Sequence, residues 1–197
     1  MAKKLLTPQA TLSYPHIDEP VPPMNGKGEP KYSVALVFPA GADLSMLQAA
    51  VLEAATDKWG TKAAALLKSG GLKNPFRTDG EAKGYGEGSV YFNARSTEKP
   101  GAVYLWADPA TGKAMIIPDD LRKKELYAGA QVRASITAFA YDNEGKGVSF
   151  GLNNIQKLGN GPRLDGRKAA DEEFEADLSM EPAPMDDVET EVTQDTV

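Results

Sequence analysis

All 22 lysines and arginines of this chain fall before residue 169, while the last 29 residues hold 11 of its 28 acids and no base. The formal net charge of −6 therefore averages two different objects, a body of +5 over residues 1–168 and a tail of −11 over residues 169–197. The tail contains two prolines, one aromatic (Phe174) and no apolar periodicity. It cannot bury enough surface to offset the entropy of ordering it, so it reads as a disordered acidic segment. Whatever folds must fold within residues 1–168, which is enough for one sizeable core. Acidic tails of this kind are interaction segments or solubilising appendages. Tethered to a basic body, the tail also competes for the body's own groove at an effective concentration on the order of mM.

The residue inventory then removes most chemistries. There is no cysteine and one histidine, His16. Disulfide frameworks, thiolate metal sites, iron–sulfur clusters and cysteine nucleophiles are thereby excluded. No apolar run approaches the ~20 residues of a membrane-spanning helix. The first residues carry Lys3 and Lys4 without a long apolar stretch behind them, which is not a secretory signal pattern. A soluble intracellular protein with no cofactor and no membrane partner is expected. With 19 glycines and 14 prolines, the chain exceeds the usual share of about 12%, as a turn-rich, β-rich body would.

Period-two alternation marks six strands, over residues 9–14, 31–38, 89–96, 102–106, 131–141 and 148–158. Residues 15–30, with five prolines, read as a loop, and Gly151 as a bulge or kink in the last strand. Asp43 is the expected N-cap of a helical insertion over about residues 43–68, where Leu44, Leu47, Val51, Ala54 and Ala55 recur at helical spacing. A short helical piece is expected over residues 118–127, and residues 142–147 as a hairpin loop. Five or six strands with a helix inserted after an early strand give an all-β domain, an OB-type barrel being the evident member of that class.

The glycine-rich stretch at residues 80–88 has neither a Walker spacing nor a following helix, so it is not read as a phosphate loop. Hydrolase elbows and kinase signatures are absent. Asp119 and Asp120 read as helix N-terminal charge, and no spaced carboxylate cluster suggests a metal, so no catalytic residue and no metal ligand is assigned. Binding is the more productive reading. Single-strand nucleic-acid binding needs bases that track phosphates and aromatic faces on which nucleobases stack. The strand faces opposite the apolar stripes supply Tyr91 with Arg95, Tyr104 with Trp106, and Arg133 with Phe139 and Tyr141. Arg77, in a basic loop-like block, completes the candidate set.

The blocks Asn74-Pro75-Phe76-Arg77-Thr78-Asp79-Gly80, Tyr91-Phe92-Asn93-Ala94-Arg95-Ser96 and Lys99-Pro100 resemble, in order, a family of phage single-stranded DNA-binding proteins. The resemblance continues through Tyr127-Ala128-Gly129, Arg133-Ala134-Ser135-Ile136, residues 151–157, residues 161–167 and the acidic-aromatic Asp171-Glu172-Glu173-Phe174. It implies an OB-fold with a flexible acidic C-terminus, serving phage replication or recombination in the host bacterial cytoplasm as a counterpart of the T7-type helix-destabilising protein. It also implies that the tail recruits replication proteins and competes with DNA. T7-type tails end in an aromatic, whereas this chain ends Gln194-Asp195-Thr196-Val197. The expected ligand is single-stranded DNA, with duplex DNA a second candidate. Two other readings remain open: a tail-driven protein-interaction or DNA-mimic protein, and a divalent-metal enzyme acting on nucleic acid.

Overall fold

Alternating apolar residues in long runs with few helix formers favour strands that bury one face. In the computed structural model they form one eight-stranded sheet in the order β1-β7-β2-β3-β4-β8-β5-β6, with β7 also paired to β8. The strands are β1 (Lys4–Leu6), β2 (Ala10–Val21), β3 (Lys31–Phe38), β4 (Val90–Ser96), β5 (Gly101–Ala107), β6 (Ala114–Ile116), β7 (Gln131–Asn143) and β8 (Gly145–Gly159). The structure describes residues 4–166 except Met24, Asn25, Lys27, Glu144 and Asp165. The chain divides into the units Met1–Gly166 and Arg167–Val197. The acidic tail expected at 169–197 lies outside the described residues.

Eight strands replace the expected five or six. The two additional ones, β1 and β6, have three residues each, too short for alternation to register. Pairing runs from β7 through β2, β3, β4 and β8 back to β7, but two seams are minimal. β2 pairs with β7 at Ala10↔Val132 and Thr11↔Gln131, with Leu12 exchanging backbone hydrogen bonds with Gly129 and Ala130 just beyond. β4 meets β8, in parallel, only at Ala94↔Phe150 and Arg95↔Gly151. The sheet is therefore not a regular closed barrel. Beyond the second seam the gap is filled by a connecting segment, in which Lys73 bridges Gly147 and Arg77 bridges Tyr91.

Strand β2 does not stop at Pro15. Tyr14 takes a left-handed conformation (φ 43°), and register shifts on either side of His16 let the strand resume as far as Val21↔Lys31. Bulges leave ladder positions unpaired, which is how a strand tolerates Pro15 and Pro20. His16 is thus a strand residue and not a loop residue. The bulge expected at Gly151 is displaced. Gly151 pairs regularly with Thr137, and the nearer of two register shifts falls between Ser135↔Asn154 and Ile136↔Leu152, so Asn153 is the extra residue there. The expected 142–147 loop is also tighter, since β7 and β8 stay paired to Asn143↔Gly145.

The core fills the inner face of these strands. Phe92 is fully buried between Phe38, Phe76 and Phe150, with ring centroids 5.4, 5.7 and 4.4 Å away. The helical insertion forms α1 (Ser45–Trp59) and α2 (Ala63–Ser69), joined by a 3-10 turn. Leu44, Leu47, Val51 and Ala55 bury the expected stripe. Asp43 Oδ1 accepts from the Ser45 backbone N–H at 3.0 Å, so it closes the first turn from one position further out than expected. A third helix, α3 (Asp119–Glu125), packs its Arg122 inward at 5% exposure. There Nε lies 3.0 Å from Asp18 Oδ1, and Nη2 donates to the carbonyls of Pro100 and Ile17 at 2.7 and 3.4 Å.

Candidate nucleic-acid interface

Because side chains alternate along a strand and register fixes neighbours across strands, the outer face can be followed row by row. One row runs Ser33, Arg95, Gly151, Thr137, Lys4 over β3, β4, β8, β7 and β1. The next carries Ala35 and Asn93 on β3 and β4, with Ser149 paired to Phe139 on β8 and β7. A third carries Gln131, Thr11, Val37 and Tyr91 over β7, β2, β3 and β4. Tyr91 is bridged in turn by Arg77.

On this face Arg95 and Arg77 are exposed, and neither is held in an ion pair among the described residues. Phe139 stands out at 44% exposure. A Cβ at Gly151 would lie 3.9 Å from the Phe139 ring, so the glycine leaves a low floor beside it. Tyr141 is half-buried and pairs with Gly147. Arg133 lies on the same face near the other end of β7, half-buried, its Nε donating to Gln156 Oε1 at 2.6 Å.

Tyr91 faces outward yet is only 3% exposed. The loop before β4 folds over it: Tyr85 packs edge-on at 5.3 Å, Lys83 Nζ sits 6.0 Å from the ring centre, and the Tyr91 hydroxyl donates to Asp79 Oδ1 at 3.0 Å. Ala35 and Val37 are also buried although they lie on the outer side of β3.

Tyr104 and Trp106 share a face as expected, but the faces of β5 are reversed. They lie on the side of buried Ala102, which pairs with buried Ile155, whereas Val103 and Leu105 continue the outer face. Apolar character misled here, because β5 lies near the sheet edge and exposes Leu105 at 54%. The two rings stack at 4.3 Å and 15°. Burial, then the nearby charges of Glu125 and Asp120, raise the Tyr104 hydroxyl above the ordinary tyrosine value. The structure thus brings together Arg77, Tyr91, Arg95, Phe139 and Tyr141, sets Arg133 further along β7, and places Tyr104 and Trp106 on the opposite side of the sheet. Among the described residues no group of three or more His, Asp or Glu could hold a metal ion, and no helix is long and apolar enough to cross a membrane.

The family of the Enterobacter phage Enc34 single-stranded DNA-binding protein matches residues 3–187. This chain belongs to that family. A second phage relative of this Enc34-family chain, protein p50 of Acyrthosiphon pisum secondary endosymbiont phage 1, is 29% identical over 176 residues, covering 86% of this chain and 90% of the relative. Among solved structures, the Enc34 single-stranded DNA-binding protein in complex with ssDNA superposes with a TM-score of 0.64 at 22% identity, covering 82% of this chain and 89% of that one. The single-stranded DNA-binding protein encoded by bacteriophage T7 gives 0.55 at 14% identity, covering 93% and 100%. Both likenesses are of fold.

Sequence reasoning left out other residues of this candidate face. Asn93 and Ser149 sit between Arg95 and Phe139, Thr137 stands beside Phe139 on β7, and Lys73 reaches the face through its bridge to Gly147. Tyr85 carries the loop across Tyr91, with its hydroxyl 3.0 Å from Ser13 Oγ. The polar half of each strand's alternation marked Asn93, Ser149 and Thr137 as outward, but nothing local distinguished them from any solvated position.

Proposed function

We propose that this protein binds single-stranded DNA with little sequence preference and coats it during phage replication or recombination, without enzymatic activity. In this reading the pairing circuit β7-β2-β3-β4-β8 is an OB-type framework, and single strands cross its outer face. The observation that carries it is the row-wise grouping of exposed Arg77 and Arg95, without an ion pair among the described residues, with exposed Phe139 on one continuous face. The arginines hold phosphates, and Phe139 offers a stacking surface worth about 1–3 kcal/mol per base. Membership of the phage family and the Enc34 complex with ssDNA support the choice of ligand. The acidic residues 169–197 attenuate binding by competing for the basic face and recruit replication proteins, in the host cytoplasm.

Titration of a labelled oligothymidylate at several salt concentrations tests this. Saturable binding whose logarithm falls linearly with log salt is expected, with a slope of about −0.7 per phosphate held. A chain ending at Lys168 is expected to bind more tightly than the full chain at low salt. No binding by the full chain or the truncation at low salt would refute the coating function. Equal affinity of the two would remove the attenuating role alone.

A further inference from the structure

Beyond the arginine–Phe139 face lies an open cleft of about 310 Å³ that the candidate set does not include. Gln131, Thr11 and Val37, register neighbours on β7, β2 and β3, form its floor, while Tyr85, Pro39 and Gln9 line its sides. Its polar groups are organised. Gln9 Nε2 donates to Gln131 Oε1, and Gln131 Nε2 donates to Thr11 Oγ1, each at 3.1 Å. Gln131 Nε2 also lies 3.4 Å from the Gly129 carbonyl. With its oxygen accepting from Gln131, Thr11 keeps a hydroxyl proton to donate, and Gln9 keeps its amide oxygen and a second N–H.

We propose that this cleft takes one unpaired nucleobase of the bound strand, an inference that rests on the single-strand reading above. Among the described residues no lysine, arginine or carboxylate lines it, so its lining is not that of a phosphate or metal site. Amide and hydroxyl groups match the donors and acceptors of a base edge, and the Tyr85 ring and Pro39 match its flat apolar faces. The cleft has room for several waters and so for the flat ring of one base. Duplex bases present neither a free pairing edge nor a free face, so the cleft selects single strands. Its place suits the path. From Thr11 the outer face crosses β3, β4 and β8 to Phe139 on β7, four strand spacings or roughly 19 Å, so that a single strand seated on Phe139 reaches the cleft past Arg95 and Arg77.

The test uses the full-length chain, a labelled oligothymidylate and an abasic oligonucleotide of equal length. Tyr85→Ala and Gln131→Leu are each expected to weaken oligothymidylate binding about tenfold, to leave the salt slope unchanged, and to bind the abasic strand as the wild type does. Tyr85→Phe, which keeps the ring and with it the loop's packing on Tyr91, is expected to retain wild-type affinity. Wild-type affinity of both Tyr85→Ala and Gln131→Leu, or an equal loss on the abasic strand, would overturn the base-binding cleft while leaving single-strand binding intact. Failure of the wild type to bind oligothymidylate at all would overturn both readings.

Discussion

Replacing Phe139 with Ala separates the two faces on which aromatic residues stand. Phe139 projects from the outer face at 44% exposure beside Gly151. Trp106, at 55% exposure, lies on the other side of the sheet stacked on Tyr104. One stacked base contributes about 1–3 kcal/mol, so Phe139→Ala is expected to raise Kd about 30-fold, the middle of that range. Nearly half of the ring is already in water, so the stability cost is only about 1 kcal/mol, roughly half the transfer value of a fully buried phenylalanine. Trp106→Ala gives the reverse pattern. It loses an aromatic pair worth about 0.5–1.5 kcal/mol of stability and leaves DNA affinity in place. Anisotropy titrations with oligothymidylate at several salt concentrations, together with urea unfolding of each variant, read both quantities. The salt slope stays constant for Phe139→Ala, which removes no charge, and flattens by about 0.7 for Arg95→Ala for each phosphate released. Wild-type affinity of Phe139→Ala, or a loss at Trp106→Ala as large as at Phe139→Ala, would refute the assignment of the outer face.

Three further outcomes follow from the packing and charge of the body. Phe92→Ala empties the centre of the four-phenylalanine cluster and is expected to cost about 3–5 kcal/mol in urea unfolding. Gly129→Ala is expected to destabilise strongly, because φ is 116° there and a Cβ would clash with the Pro162 carbonyl oxygen; thermal unfolding at wild-type midpoint would count against it. Asp119 is held below the ordinary aspartate range by the hydrogen bond and charge of Lys99, with Arg122 adding to it. A carboxylate with a depressed folded-state value stabilises above its unfolded value of about 3.9 and loses that contribution as pH falls through the folded value. The stability difference between wild type and Asp119→Asn, measured by denaturant titration across pH, should therefore be present at neutral pH and vanish in acid, and high salt should shrink it at neutral pH.

The long strands were legible because a period of two repeats several times along each. The alternation of Val90, Phe92 and Ala94 on β4, or of Val132, Ala134, Ile136 and Ala138 on β7, predicts which residues point inward. The helical insertion was legible for the same reason at a different period. β1 and β6 were not, since three residues carry no period, and β1 moreover owes its pairing to β7, about 130 residues away. The extension of β2 past Pro15 depends on one left-handed residue, Tyr14, which no local preference announces.

The candidate face shows a sharper limit. Alternation assigns partners within a strand but not which side meets the core when both sides are apolar, and β5 is such a case. Val103 and Leu105 look like core, yet Ala102 and Tyr104 take that place because Ile155 and the pairing with β8 put them there. Tyr91 shows the complementary limit, an outward residue whose exposure is decided by a loop that no strand pattern describes. The cleft is furthest from the sequence. Thr11 and Gln131 are 120 residues apart, and the short seam between β2 and β7 brings their side chains to one floor. Functional groups that lie along one strand can thus be read from a single sequence. Those assembled across a seam depend on closure of the sheet, which makes the seam itself a determinant of the site: a substitution that opens β2 from β7 should impair the cleft before it impairs Phe139 and Arg95, which rest on the long β7–β8 and β3–β4 ladders.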